Sequence, residues 1–345
     1  MIKVMLVDDS LMTLTILKKL LAQAPDIAVV GTASNGREAL KLLPALQPDV
    51  ICTDLKMPVM DGLDFTKAVM AEFPRPILVI SAAVQSKDTS NIFSLIQAGA
   101  IDVIAKFPTE KTDESLLNAR ELISKIRVLS GVHVISRKSV MASSAVQMPI
   151  QPDSALPQII GIGASTGGPN ALSTILTALP ANFPLPIVCI QHISEGFSLG
   201  MVNWLNQRCK LTVQFAQTGL IPKPGQVYFA PDNKQLEMNA LNEFVCSDLP
   251  SYDGHRPSIS VTFQSLALRF GKRAMGILLT GMGRDGVDGL QSIKQVGGMT
   301  IAQDEASCII FGMPKIAIDE QAAQLVLPLD SIANTLLKMV GQPSS

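Results

Sequence analysis

The run Ile159-Ile160-Gly161-Ile162-Gly163-Ala164-Ser165-Thr166-Gly167-Gly168-Pro169 decides the fold of the second half of the chain. A short apolar segment of strand length ends in a turn of small residues, and Pro169 beyond the glycines suits the first turn of a helix. A strand that feeds a helix through a tight turn is the opening of a βαβ unit. Outward from this run, further strand candidates lie at Ile187–Ile190, Met275–Leu279 and Met299–Ala302, separated by segments long enough for helices. The alternation predicts a doubly wound parallel sheet. Between Lys223 and Leu249 the pattern changes to short alternating segments with turn signals at Pro224-Gly225 and Asp232-Asn233, which predicts an antiparallel insertion.

The first half repeats the logic. Apolar runs at Ile2–Val7, Ile27–Val30, Val50–Thr53, Ile77–Ile80 and Val103–Ala105 alternate with helical periodicity such as Leu14, Leu17, Leu20 and Leu21, and Glu114–Val128 reads as a closing helix. From Ser130 to Pro157 the periodicity fades into a stretch rich in Ser, Pro, Gln, Ala and Val, the composition of a linker. Two α/β domains are expected, residues 1–128 and 158–345, joined by 129–157. A length of 345 residues agrees, at ~100–200 residues per domain.

Composition narrows the function classes. Lys plus Arg total 28 against 29 for Asp plus Glu, so no bulk charge draws the chain to nucleic acid or to anionic membranes. With 2 Tyr, 1 Trp and 12 Phe, stacking platforms for single strands are scarce as well. No apolar stretch approaches the ~18 residues of a membrane span, and the apolar run before Asp8 is too short for a signal-peptide core. Cys52, Cys189, Cys209, Cys246 and Cys308 are odd in number and form no C-x-x-C pair, which disfavours a disulfide framework or a structural zinc site. A cytoplasmic protein that is not membrane-embedded is expected.

In a parallel sheet, ligands collect beyond the carboxyl ends of the strands. In the first domain those positions carry Asp8 and Asp9, Asp54, Ser81 and Lys106. Clustered carboxylates repel unless a cation sits among them, and hard oxygen donors of this kind suit Mg²⁺. In the second domain they carry Ser165, Gln191-His192 and the glycine-rich turn Thr280-Gly281-Met282-Gly283-Arg284-Asp285-Gly286. A Rossmann dinucleotide site is disfavoured, because Thr166 stands at the third glycine of G-x-G-x-x-G and no acidic residue closes the second strand. A P-loop lacks its Gly-Lys-Ser/Thr. What remains is a hydroxyl at a helix N-terminus, which becomes a nucleophile when a His, oriented by a carboxylate, takes its proton. The set is Ser165, His192 and Asp285. His255, in Asp253-Gly254-His255-Arg256-Pro257, is the second candidate base, and Asp288 is a rival to Asp285. Backbone N–H groups of Thr166 or Met282 are candidate oxyanion donors.

Residues 1–128 resemble the receiver domain of two-component response regulators through Val7-Asp8-Asp9-Ser10, Asp54 with Met57-Pro58 and Asp61-Gly62, Ser81-Ala82, and Lys106. The resemblance implies a flavodoxin-like fold and a phosphoryl group accepted by Asp54 from a histidine kinase. It also implies Mg²⁺ held by Asp9, Asp54 and the carbonyl of Lys56 with help from Asp8, and a phosphoryl group sensed by Ser81 and paired by Lys106. Two departures, Val103 in place of an aromatic and Phe107 before Pro108, put the usual aromatic switch and a cis-proline in question.

Residues 158–342 resemble the catalytic domain of chemotaxis protein-glutamate methylesterases, the CheB family. The matching runs are 161–169, Gln191-His192 with Gly196-Phe197, Pro224-Gly225-Gln226-Val227-Tyr228, Arg256-Pro257-Ser258, Leu279 to Gly286 and Gly312-Met313-Pro314. This implies a Rossmann-like esterase domain that needs no cofactor. Its reaction is hydrolysis of glutamyl methyl esters on methyl-accepting chemotaxis receptors, with receptor glutamine deamidation in some members. A response regulator with a non-catalytic binding output is the alternative. The linker, about 28 residues from Ser130 to Pro157, is long enough for one domain to reach the other's cleft. The unphosphorylated receiver is therefore expected to restrain the esterase, as the resemblance also implies.

Overall fold

The computed structural model describes residues 1–81, 86–106, 113–132 and 156–342, so Phe107, Pro108 and most of the expected linker lie outside the described residues. The chain divides into two compact units, Met1–Met141 and Ala142–Ser345.

The first unit alternates strands and helices throughout: β1 (Ile2–Val7), α1 (Leu11–Leu21), β2 (Ile27–Ala33), α2 (Gly36–Leu46), β3 (Val50–Thr53), α3 (Gly62–Glu72), β4 (Ile77–Ser81), α4 (Ser86–Ala98), β5 (Asp102–Ala105) and α5 (Asp113–Leu129). All its strand pairs are parallel, in the order β2-β1-β3-β4-β5. Strands covered on both faces must be apolar throughout, and Val50–Thr53 and Ile77–Ser81 are buried at every residue. Val103, which stands where an aromatic was expected, is 1% exposed inside β5. The strand order reverses between β1 and β3, so the crevice for ligands opens between the residues that follow these two strands.

The second unit contains β6 (Ile159–Ala164), α6 (Gly168–Ala178), β7 (Ile187–Gln191), α7 (Ser198–Arg208), β8 (Thr212–Phe215), β9 (Gln226–Phe229), β10 (Gln235–Met238) and β11 (Phe244–Ser247). It continues with α8 (Ile259–Phe270), β12 (Ala274–Leu278), α9 (Val287–Gln295), β13 (Met299–Gln303), α10 (Met313–Asp319), β14 (Leu325–Leu327) and α11 (Leu329–Met339). Seven parallel strands run β14-β13-β12-β6-β7-β9-β8. β6 lies in the middle, with β7 on one side and β12 on the other, so the turn after β6 is the topological switch point.

The expected antiparallel insertion over Lys223–Leu249 needs a correction. Gln226–Phe229 is a strand of the main sheet, parallel to both β7 and β8, and the antiparallel part is only the β10–β11 hairpin. Val227, Tyr228 and Phe229 are buried on both faces of that sheet, which an alternation pattern read from sequence does not distinguish from a hairpin strand. The hairpin is the platform of α8. Leu236, Met238 and Phe244 pack in one buried cluster with Ile259, Phe263 and Leu266. Thr262 Oγ1 donates to the Leu236 carbonyl at 2.7 Å, and the Met238 N–H donates to Ser265 Oγ at 3.2 Å.

Candidate active site

Three strand ends bring the second unit's expected residues together. Ser165 follows β6, and its N–H donates to the Thr280 carbonyl just after β12 at 3.0 Å. His192 follows β7, and its N–H donates to the Ala164 carbonyl at 3.0 Å. Gly281 has no room for a side chain, because a Cβ there would lie 2.6 Å from Ser165 Cβ. Of the two expected oxyanion donors, Thr166 is the next residue after the serine and Met282 the next after Gly281. Gly167, at φ +79°, opens α6 without a side-chain cap.

Gln191, the last residue of β7, is a functional residue that the sequence marked only as part of a family-like run. Its Nε2 donates to the Ser165 and the His192 carbonyls, each at 2.7 Å. Two acceptors dictate that the amide presents its NH₂ to them. Its Oε1 lies so close to α6 that a Cβ on Gly168 would approach it to 1.9 Å, so Gly168 is required for the brace to fit. One buried amide thereby fixes the distance between the turn of the nucleophile and the turn of the base.

Asp285 is bound by five donors. Oδ1 accepts from Ser258 Oγ at 2.8 Å, Ser260 N at 3.0 Å and Gly286 N at 2.9 Å. Oδ2 accepts from Ile259 N at 2.8 Å and from His192 Nε2 at 2.9 Å. The carboxylate thus sits at the N-terminus of α8, where orphan N–H groups and the helix dipole favour a negative charge. Burial opposes its ionisation, but the hydrogen bond and charge of His192 and the N–H groups of Ser260 and Ile259 outweigh that cost and hold the carboxyl well below its usual range. Because ionised Asp285 only accepts, His192 presents an N–H on Nε2, and in the neutral imidazole Nδ1 is then the nitrogen with a lone pair. Nδ1 is buried and has no hydrogen-bond partner among the described residues. No hydrogen bond therefore joins Nδ1 to Ser165 here, and catalytic hydrogen bonds of this kind often tighten only around substrate.

The two rivals from the sequence lie one step outside this set. Asp288 accepts from Tyr252 Oη at 2.9 Å and pairs with Arg284 at 3.0 Å. The ring of His255 stacks on that of His192, with centroids 4.0 Å apart and planes 2° from parallel.

The first unit's acidic residues also converge. Asp8, Asp9 and Asp54 offer carboxylate oxygens that all lie within 4.8 Å of one another. Lys106 Nζ, 22% exposed with its side chain, bridges Asp54 at 2.6 Å and Asp8 at 2.8 Å. Asp54 Oδ1 accepts from Leu55 N at 2.7 Å, and Ser81, 5% exposed, accepts the Lys106 N–H on its carbonyl at 2.9 Å. Burial raises the Asp54 carboxyl above its ordinary value and the charge of Asp8 adds to that rise, while the hydrogen bond and charge of Lys106 only partly offset it. For Lys106, burial works against the charged form, but its bonds to Asp54 and Asp8 prevail and raise it. Three carboxylates against one ammonium leave a net negative pocket of hard oxygens, a donor set that fits a divalent cation such as Mg²⁺.

A serine turn, a histidine and a carboxylate gathered at the carboxyl edge of one parallel sheet are the constituents of a serine hydrolase site, here on a chain that also carries a cluster of aspartates around a lysine. Family comparison places the chain within this class. Residues 160–336 match the CheB methylesterase family and residues 4–116 match the response regulator receiver domain. A protein-glutamate methylesterase/protein-glutamine glutaminase of Syntrophus aciditrophicus is 39% identical over 99% of both chains. One of Myxococcus xanthus is 40% identical over 98% of this chain and 93% of its own. The crystal structure of the Thermotoga maritima CheB methylesterase catalytic domain is 38% identical and has a TM-score of 0.52, covering 53% of this chain and 98% of that one. The chain belongs to the CheB methylesterase family.

Proposed function

We propose that this chain hydrolyses glutamyl methyl esters on methyl-accepting chemotaxis receptors, and deamidates receptor glutamines by the same acyl chemistry, under control of phosphorylation at Asp54. The observation that carries the reading is the His192–Asp285 bond, at 2.9 Å, on strand ends either side of Ser165. Ser165 Oγ attacks the ester carbonyl carbon as His192 Nδ1 takes its proton. The oxyanion that forms accepts from backbone N–H groups of Thr166 or Met282 at the opening of α6. The imidazolium, steadied through Nε2 by Asp285, returns the proton to the departing methoxide, which leaves as methanol. A water deprotonated by the same His192 then frees the glutamate and regenerates Ser165. With a glutamine side chain the leaving group is ammonia and the steps are otherwise the same. A non-catalytic output domain would have no use for a carboxylate saturated by five donors to serve one imidazole.

In the receiver, Asp54 is the phosphoacceptor and a histidine kinase the phosphodonor. Mg²⁺ would be held by Asp9, Asp54 and the Lys56 carbonyl with Asp8 assisting, and it supplies neutralisation of the incoming phosphoryl oxygens. Lys106 and Ser81 then pair with and sense those oxygens. The reading places the enzyme in the cytoplasm. No helix among the described residues is long and apolar enough to cross a membrane. The test is methanol release from a methylated receptor fragment with and without a small phosphodonor and Mg²⁺. The phosphodonor should accelerate the wild type and leave Asp54→Ala unchanged. A fragment starting near Gln151 should exceed the unphosphorylated full chain. A slower fragment would replace inhibition by the receiver with activation.

A further inference from the structure

His255 is built into place with more care than a surface loop requires. Tyr252 and His255 exchange both backbone hydrogen bonds, at 3.0 and 2.9 Å, across a two-residue turn. Asp253 and Gly254 at its tip both have left-handed φ, +49° and +80°, the geometry of a type I′ turn. Tyr252 Oη anchors the turn to Asp288 at 2.9 Å. Gln235, fully buried on the hairpin, donates through Nε2 to the His255 carbonyl at 3.2 Å and the Pro250 carbonyl at 3.1 Å, while its Oε1 accepts from Ser258 N at 2.9 Å. The same glutamine therefore sets both the turn and the start of α8, where Asp285 is bound.

What this scaffold delivers is a flat ring laid face to face on the base. Asp285 grips one nitrogen of His192, and a single hydrogen bond leaves the ring free to rock about that contact. A parallel ring at 4.0 Å removes that freedom and covers one face from water. Resting on the esterase reading above, we propose that His255 is a positioning residue for the general base, fixing the plane of the His192 ring so that Nδ1 stays available to Ser165.

The charge state of His255 suits the role. Burial is the main reason its imidazole is pushed down to about 4, repulsion from His192 adds to it, and Asp285 and Asp253 oppose it. At neutral pH the stacked ring is thus uncharged, so it sets no second positive charge against the imidazolium that forms on His192 during the reaction. A base in its own right would need a carboxylate to orient it. Asp285 spends its oxygens on His192 and α8 instead.

The experiment measures, at pH 7 with a small phosphodonor and Mg²⁺ present, the rate at which a fluorophosphonate labels Ser165 in the full-length chain, for wild type, His255→Ala, His255→Phe and Ser165→Ala. Labelling of wild type but not Ser165→Ala establishes the nucleophile independently of any receptor, and its absence in wild type would sink the esterase reading itself. Given labelling, His255→Ala should be slower by roughly 10-fold at pH 7. His255→Phe, which restores a neutral flat ring, should recover to within about 3-fold of wild type. Unchanged circular dichroism in both variants separates this effect from misfolding. A wild-type rate in His255→Ala, or a Phe variant as slow as the Ala variant, overturns the proposal.

Discussion

Asp54 directly follows β3 and Asp285 closes the turn between β12 and α9, both at the carboxyl edge of a parallel sheet, and their surroundings push them in opposite directions. Asp285 is held ionised by five donors, four of them on or next to the N-terminus of a helix, and it has nothing left to offer a ligand. Asp54 keeps one oxygen on a lysine that it shares with Asp8, and the other on a single N–H. On the proposed function, the difference follows from what each would do. A carboxylate that only orients an imidazole gains from being saturated. A carboxylate that attacks a phosphodonor must stay incompletely satisfied, because every donor bound to it is a donor to be displaced.

Asp285→Asn breaks the saturated site most severely. An amide cannot accept from all five donors and turns an NH₂ toward N–H groups, so ester hydrolysis should fall by ~10³–10⁴-fold through the loss of the correct His192 tautomer. The second domain should also lose about 3 kcal/mol of stability in urea unfolding. An enzyme with full activity after this change would remove Asp285 from the site. Next in size, Gln191→Leu keeps the volume but unties the nucleophile turn from the base turn. We expect kcat to drop by roughly 10- to 100-fold with little change in KM, and a KM effect alone would assign Gln191 to substrate binding instead.

The smallest expected effect is on stability against pH, and it sharpens the contrast. Asp285 titrates below its unfolded value, so its contribution is present above the ordinary carboxylate range, about 3.9, and is lost as pH falls through the depressed folded value. Asp54 titrates above its unfolded value, so the native state binds its proton more tightly and stability is lost as pH rises from about 3.9 through the raised value. Asp54→Asn should therefore raise the receiver's thermal midpoint at pH 7 by a few degrees, roughly 1 to 5 °C, with the gain shrinking toward pH 4. A lowered midpoint at pH 7 would mean that the Lys106 pair stabilises more than burial costs.

Both sites were legible in the sequence for one reason. A strand buried on both faces is an unbroken apolar run, so its end is visible, and in a parallel sheet the ends are where chemistry collects. Ser165, His192 and the receiver aspartates stand at such ends, and Asp285 lies in the glycine-rich turn that follows one. Less legible were groups whose roles depend on tertiary neighbours. Gln191 looks like the polar terminus of a strand, and nothing local says that its amide bridges two turns. Choosing His192 over His255 as base rested on strand position, and that the second histidine lies on the first required the hairpin and its Gln235. β9 was misplaced because burial on both faces is a property of the sheet and not of four residues.

The most direct measurement of the central claim is methanol released from a methylated receptor fragment by the phosphodonor-activated wild type and by Ser165→Ala at equal concentration. The account predicts release by the wild type and a rate at least ~10²-fold lower for Ser165→Ala, with unchanged circular dichroism. Release at the wild-type rate by Ser165→Ala would contradict it.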